Sequence, residues 1–354
     1  MKALTGGVFG TSHSTDDFAE LRQLAEDIGG RSFDERIGHR SLPDAFDFTA
    51  WRHLEDAGLT RLTSDAESGG GPAELALTLR ALARHAVTVP LAETDVLAGW
   101  LAGVAGVEVP ATGPLTLALG EADSPSVTGV PYARDAAAVV FALRDGDRLQ
   151  VAAAAPAGLA ITSGYNLGGE PRDAVAVPDG GFVTVEGAAT QLQRRGAWAR
   201  CIQSLGALDA AVEYSAAHTR EREQFGRPLS AFQSVQHTLA SMAGEVERAR
   251  AAAELAVAAA AVHGFDSTQA DYAVTVAKVV LGRVVPTVTT AAHQLHGAIG
   301  VTIEHRLWLA TMRARSWIDE FGDTAGYATR LGRMALTAAR QGDPWDVAVG
   351  AAAG

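Results

Sequence analysis

Apolar positions along the chain fall into three successive textures. From Asp16 to about Gly106 they recur at helical spacing. Phe18, Leu21, Leu24, Ala25 and Ile28 mark a helix expected to stop at Gly29-Gly30, and Phe48, Trp51 and Leu54 mark a short one closed at Gly58. Gly69-Gly70-Gly71-Pro72 reads as a loop, followed by a helix over Glu74–Ala86 and another from Pro90. Between Pro110 and about Gly187 the runs shorten to Leu115–Leu119, Ala137–Leu143, Leu149–Ala153 and Ala174–Val177. Turn residues such as Asp145-Gly146-Asp147 and Pro178–Gly181 separate them, which predicts short strands in a small barrel or sandwich. From Gly196 to about Arg340 the helical period returns. Its faces are Trp198, Ile202, Leu205, Leu208, Val212; then Phe232, Val235, Leu239, Met242, Val246; then Val276, Val279, Val280, Val284, Val288; then Leu307, Met312, Trp317. Pro286 is expected to kink the third.

The predicted fold class is therefore mainly α with a β middle domain. An N-terminal helical domain covers 1–112, a small β-barrel or sandwich 113–190, a C-terminal four-helix bundle 191–345 and a tail 346–354. Composition agrees with a large core: 47% of the 354 residues are hydrophobic and 20% charged. The excess of 41 Asp and Glu over 29 Lys and Arg opposes a phosphate backbone, so general nucleic-acid binding is not expected. Cys201 is the single cysteine, which excludes an internal disulfide and a cysteine-based zinc site. The N-terminus lacks the apolar core of a signal peptide, and charges or prolines interrupt the apolar stretches Leu97–Gly120 and Ala251–Gly264. A cytoplasmic protein without a membrane span is the expectation.

Two segments carry chemistry. In REQFGRPLSAFQSVQ, Arg222 to Gln236, a long helix is expected to end at Phe225, with Gly226 left-handed and Pro228 blocking continuation. Ser230 and Gln233 then form a capping box for the next helix. That corner would present Arg222 beside helix-start amides, a setting that attracts an anionic oxygen pair or a phosphate. Taken alone, it reads first as a helical hairpin with a solvated arginine. The second segment runs from His293 to His305, where Gly297 and Gly300 end one helix and let a flat group approach closely. His293 and His296 have no carboxylate-rich partners at ligand spacing, so no metal is assigned.

Together these segments resemble the acyl-CoA dehydrogenase family, as do Leu54–Gly58, the Gly69–Gly71 loop and Val89–Glu93. The resemblance implies a dimer or dimer of dimers with FAD held between subunits. It carries Arg222 onto the arginine that binds a neighbour's FAD diphosphate, Gln224 and Phe225 onto residues beside it, and Gln233 onto a flavin-contacting glutamine. Gln294, Leu295, His296, Gly297 and Ala298 match the segment near the FAD adenosine, with Ala298 in place of a second glycine. The implied reaction is α,β-desaturation of an acyl thioester, on CoA or an acyl carrier. Hydride passes to the flavin, a proton to a buried glutamate, and electrons onward to an acceptor resembling electron-transfer flavoprotein.

The chain departs from the family where that glutamate belongs. Counted without gaps from Met312-Arg313, one of its two family positions falls on Gly322; counted back from Arg222, the other falls on Gly196. Glu320, in Trp317–Asp323, reaches the first position if a bend shifts the backbone by two residues; otherwise it is an exposed acid at a helix end, with Asp323 capping the helix that follows. The family's threonine-bearing flavin segment corresponds to Leu117–Ser124 here, no W-x-T precedes Trp198, and Arg172 is read as structural. Arg194, Arg195 and Arg200 are candidates to meet an anionic carrier. Such losses resemble the degenerate subunit of heteromeric acyl-CoA dehydrogenases of actinobacterial type, which act on bulky thioesters including steroid side chains and whose partner chain supplies the base. Two alternatives stay open: a self-sufficient homo-oligomer using Glu320, and a non-redox binding or scaffold subunit.

Overall fold

The computed structural model describes residues 8–9, 18–36, 42–146, 148–303 and 305–342. Expectations for Asp16, Asp147 and the tail over 346–354 lie outside them. Helix α1, Ala19–Arg36, runs straight through the glycine pair expected to stop it. A Cβ on Gly29 would lie 2.7 Å from His85 Cδ2, so the glycine serves close packing rather than termination. His85 in turn meets Glu26, Nε2 to Oε2, at 2.7 Å. Helix α2, Phe48–Asp56, starts where Asp47 Oδ1 accepts the Ala50 amide, and Gly58 behind it takes φ +71°. Helix α3, Pro72–Arg84, has proline at its start and Glu74 accepting the Gly71 amide at 2.9 Å. The segment from Pro90 opens into a π-helical turn, Glu93–Gly99, before α4, Trp100–Ala105.

The middle of the chain is two sheets. β1 (Leu115–Glu121), β3 (Ala138–Asp145), β4 (Arg148–Ala154) and β7 (Val183–Glu186) pair in the order β1-β3-β4-β7, with β1 and β3 parallel. β2 (Ser126–Pro131), β6 (Arg172–Ala176) and β5 (Ile161–Thr162) form the second, in the order β2-β6-β5. The strand pleat sorts the side chains. Ala118, Val139, Phe141 and Leu143 fill a small core with Val127, Val130 and Val175 of the second sheet. Leu117, Val140, Ala142, Leu149 and Val151 face the other way and join the helical core.

Five helices follow among the described residues: α5 (Ala188–Glu221), α6 (Gln233–His263), α7 (Thr268–His296), α8 (Arg306–Asp319) and α9 (Thr324–Gln341). α5 is the hub, packed against α3, α6, α7 and α8. Trp198, Ile202, Leu205 and Leu208 of the expected face are buried. On α6 only Met242 and Val246 of the expected face are buried, whereas Val235 and Leu239 are half-exposed near its start. Pro286 lies inside α7 on its exposed side. The segment Thr268–Val301 is long and apolar enough to cross a bilayer, and 61% of its most apolar window is buried inside the protein.

Where α5 crosses α3, a Cβ on Gly206 would stand 2.2 Å from the Arg80 carbonyl oxygen. Gly206→Ala must therefore push two helices apart, and we expect a loss of about 1–3 kcal/mol, read as a lower thermal midpoint.

Candidate functional site

The outer corner forms differently from the sequence expectation. α5 ends at Glu221 because Arg222 turns extended, at φ −78° and ψ 118°. The chain then makes a short hairpin of β8 (Glu223–Gln224) and β9 (Arg227–Pro228). Its two turn residues, Phe225 at φ +55° and Gly226 at φ +77°, are both left-handed, the geometry of a tight hairpin turn. Ser230 lies in a 3-10 turn, Leu229–Ala231, and caps nothing; α6 begins at Gln233 after Phe232. Instead, Gln236 Nε2 donates to the Ser230 carbonyl. Phe225 projects from the tip, 91% exposed, edge-on to Phe232, which Arg227 covers at 4.1 Å. Arg222, Gln224 and Gln233 are exposed, and the Arg222 guanidinium makes no ion pair among the described residues.

The end of α7 meets this corner through stacked imidazoles. His296 lies on His218, ring centroids 4.4 Å apart and 19° from parallel, and His218 is the residue whose carbonyl accepts the Arg222 amide. His305, which caps α8 by accepting the Leu307 amide at Nδ1, packs edge-on to His296. His296 is 6% exposed; its Nδ1 faces the Ala292 carbonyl and must donate, leaving Nε2 buried without a partner. Gln294, Gly297 and Ala298 are exposed beside it and Leu295 is half-buried. Thus the structure brings the two sequence segments together, and the link is a histidine pair of which only His296 was singled out.

Burial pushes His296 down to about 4, with His218, His305 and His293 adding to the effect against the Ala292 carbonyl. Burial, then Arg222, lowers His218 as well. The folded state therefore binds fewer protons than the unfolded one. Its stability is fully present above the ordinary histidine value of 6.5 and is lost as pH falls toward about 4. The thermal midpoint should drop across that window, and His296→Phe, which keeps a stacking ring, should flatten the drop.

An open pocket of about 610 Å³ has a wall of Leu97, Leu117, Leu119, Val130 and Pro131 and a charged floor. Arg200 donates to Glu93 at 2.5 Å, to Glu320 Oε2 at 2.6 Å and to Gln203 at 2.6 Å. Arg172 reaches Glu320 Oε1 at 2.9 Å and Glu170 at 3.3 Å, and the Trp317 indole donates to Glu170 at 2.8 Å. Burial pushes the Glu320 carboxyl up, but Arg172 and Arg200 outweigh it and hold it below the usual carboxylate range. These surroundings are the reverse of the apolar ones that raise a carboxyl toward the range of a neutral-pH base. Glu320 is thus neither an exposed helix-end acid nor set in apolar surroundings; it is the capping residue just past α8, ionised and doubly paired.

The backbone after it is pinned. Lys278, fully buried on α7, donates Nζ to the Ile318 carbonyl at 2.5 Å and the Glu320 carbonyl at 2.9 Å. Tyr327 donates its hydroxyl to the Phe321 carbonyl, and Asp323 caps α9 through the Gly326 amide at 2.7 Å, as its place in the sequence suggested. Phe321 takes φ +56° and Gly322 φ +100°. The Phe321 ring fills the notch at Gly196, where a Cβ would lie 2.2 Å from its Cδ1. Cys201 is buried near Lys278, its thiol pushed up to about 12 by burial.

A second cavity of about 530 Å³ lies beyond this turn, with Arg144, Arg194, Arg330 and Arg333 around Gln193 and Tyr327. The three arginines grouped by sequence have separate surroundings. Arg194 lines this cavity and pairs with Asp271, and Arg200 belongs to the ionic floor. Arg195 lies between Trp100 and Phe265, 4.3 Å from each ring, drawn down to about 9 by burial. Sequence reasoning passed over Glu93, Glu170, Lys278 and Phe321. For Lys278 a signal existed: it is a lone charge in the apolar run Val274–Leu281.

The FAD implied by the resemblance can be tested against both places. At the corner, an unpaired guanidinium, the amides of Gln224, Gln233 and Gln294 and open space over Gly226 and Gly297 suit a diphosphate-bearing group approaching from outside. The leucine-walled cavity has paired charges on its floor and a ring in its notch.

Residues 187–322 match the acyl-CoA dehydrogenase C-terminal domain. The chain is 27% identical over 296 residues to acyl-CoA dehydrogenase IpdE2 of Mycolicibacterium smegmatis, covering 81% of this chain and 88% of that one. Its fold is that of a chain in the ChsE4–ChsE5 complex of Mycobacterium tuberculosis, with TM-score 0.72, 23% identity, and coverage of 90% of this chain and 97% of that one. It is equally that of a chain in the Tcur3481–Tcur3483 steroid ACAD, with TM-score 0.75, 24% identity, and coverage of 92% and 99%.

Proposed function

We propose a function from one premise: the chain belongs to the acyl-CoA dehydrogenase family, FAD-dependent oxidoreductases acting on CH–CH groups. In this reading it is a subunit that shares an FAD with a related chain, and the companion supplies the base for α,β-desaturation of an acyl thioester. The observation that carries it is the contrast between an open Arg222 and a Glu320 locked between Arg172 and Arg200. Both family positions for a base are glycine, and the Gly196 notch is filled by Phe321. The ChsE4–ChsE5 structure is a complex of two differently named chains, and the Tcur3481–Tcur3483 structure is a steroid ACAD. By that likeness, the substrate is a bulky or steroid-derived thioester, on CoA or an acyl carrier.

When bound, FAD supplies the hydride acceptor, reoxidised by a carrier resembling electron-transfer flavoprotein. This chain's residues do the holding. Arg222 neutralises diphosphate charge, and Gln224, Gln233 and Gln294 offer hydrogen bonds. Phe225 covers apolar surface on the companion, and the His218–His296 stack keeps Arg222 in register with Gln294–Ala298. The companion is a homologous chain, or a second copy in the homo-oligomeric reading, and the assembly works in the cytoplasm.

That second reading, with Glu320 as base, draws on its place in the cavity lining with a side chain still 27% exposed. Expressed alone, the chain should be colourless, and co-expressed with a homologous dehydrogenase subunit it should carry a flavin absorption band. Yellow protein from solitary expression favours the homo-oligomer, and colourless protein under both conditions favours a scaffold subunit.

In the flavin-bearing complex, Glu320→Gln should leave reduction of the flavin by substrate intact. It should also lower stability by about 3 kcal/mol, because two buried guanidiniums lose their shared anion. Loss of flavin bleaching without unfolding would assign Glu320 as the base. Arg222→Ala should weaken flavin retention by roughly 10- to 100-fold, the worth of one charge-assisted contact, measured by flavin release on dilution.

A further inference from the structure

The two cavities lie at opposite ends of one stripe of α5. Gln193 lines the arginine-rich cavity and Arg200 the leucine-walled one. Gly196 stands between them in sequence, at spacings of three and four that place all three on one helix face. The turn after α8 repeats the order: Glu320 lines the leucine-walled cavity, Gly322 the arginine-rich one, and Phe321 between them seats its ring on Gly196. A Cβ on Gly196 would be 2.2 Å from Cδ1, 2.3 Å from Cγ and 2.4 Å from Cε1, so the ring occupies the whole notch. It is held there at a φ of +56°, rare for phenylalanine, by Lys278 on the Ile318 and Glu320 carbonyls before it and Tyr327 on its own.

We propose that Phe321 is a partition, dividing a single groove along α5 into two chambers and setting how far an apolar tail can run through it. The ligand class follows from the walls. In the first chamber Arg194 and Arg330 share Asp271, while Arg144 donates to the Gln193 amide and Arg333 makes no ion pair among the described residues, so an anionic head group fits there. Leu97, Leu117 and Leu119 beyond the partition offer an apolar wall to a tail. Phe321 is then a specificity-determining residue for anion-headed amphiphiles. The inference concerns where an apolar tail can lie and holds whether or not the chain shares a flavin.

The test uses the full chain and n-alkyl phosphates of four to twelve carbons, titrated by calorimetry. With the wild-type ring in place, affinity should stop rising once the tail reaches the partition. In Phe321→Ala it should keep rising, by roughly threefold per methylene, to at least about a tenfold advantage for the longest probe. Identical length dependence in the two proteins, or no binding to the variant, overturns the proposal. Gly196→Ala checks the seating and guards against misfolding. Its methyl collides with the ring and should lower the thermal midpoint, and Phe321→Ala in the same chain should restore it. A Gly196→Ala protein that melts like wild type overturns the proposal too.

Discussion

The interior depends on the set of buried charges around Glu320. Three cations, Arg172 from β6, Arg200 from α5 and Lys278 from α7, come from three separate elements and converge on the end of α8. With Arg200 only 2% exposed and Lys278 fully buried, none of them can be left without a partner. Glu93, Glu170 and Glu320 answer them as three carboxylates, and the Ile318 and Glu320 carbonyls take the ammonium. Such webs add little stability over apolar packing of the same volume. What this one provides is placement: a strand and α5 meet at the Glu320 carboxylate, and α7 grips the backbone carbonyls of Ile318 and Glu320. The left-handed Phe321 is tolerated where the preceding Glu320 carbonyl and its own carbonyl are both held.

The same physics explains what the sequence could and could not disclose. The three textures were legible because burial writes its period into the chain: two along Leu117, Leu119 and Val151, and about 3.6 along Trp198, Ile202 and Leu205. The two segments singled out for chemistry stood out because each is contiguous, and the structure brings them together through the His218–His296 stack. Local punctuation misled where a glycine served packing, as at Gly29 under His85, or where a phenylalanine took the backbone of a turn, as at Phe225. The ionic web was not legible at all. Glu320 finds Arg172 at a separation of 148 residues and Arg200 at 120, and no local pattern encodes either pairing.

The chain thus has two unlike faces. Outside, Arg222 and Phe225 are exposed at a hairpin beside the stacked imidazoles of His218 and His296, and Arg222 makes no ion pair among the described residues. On the floor of the leucine-walled cavity the charges are matched, and the Gly196 notch is filled. A site that must move a proton keeps a carboxyl whose ionisation is finely balanced; here Arg172 and Arg200 remove that balance from Glu320. A site that must grip an anion keeps an uncommitted cation, and Arg222 is one. The division follows from charge pairing alone, before any relative is considered. It agrees with a chain that contributes grip rather than proton transfer, because Arg172 and Arg200, on the floor of the leucine-walled cavity, are both committed to Glu320.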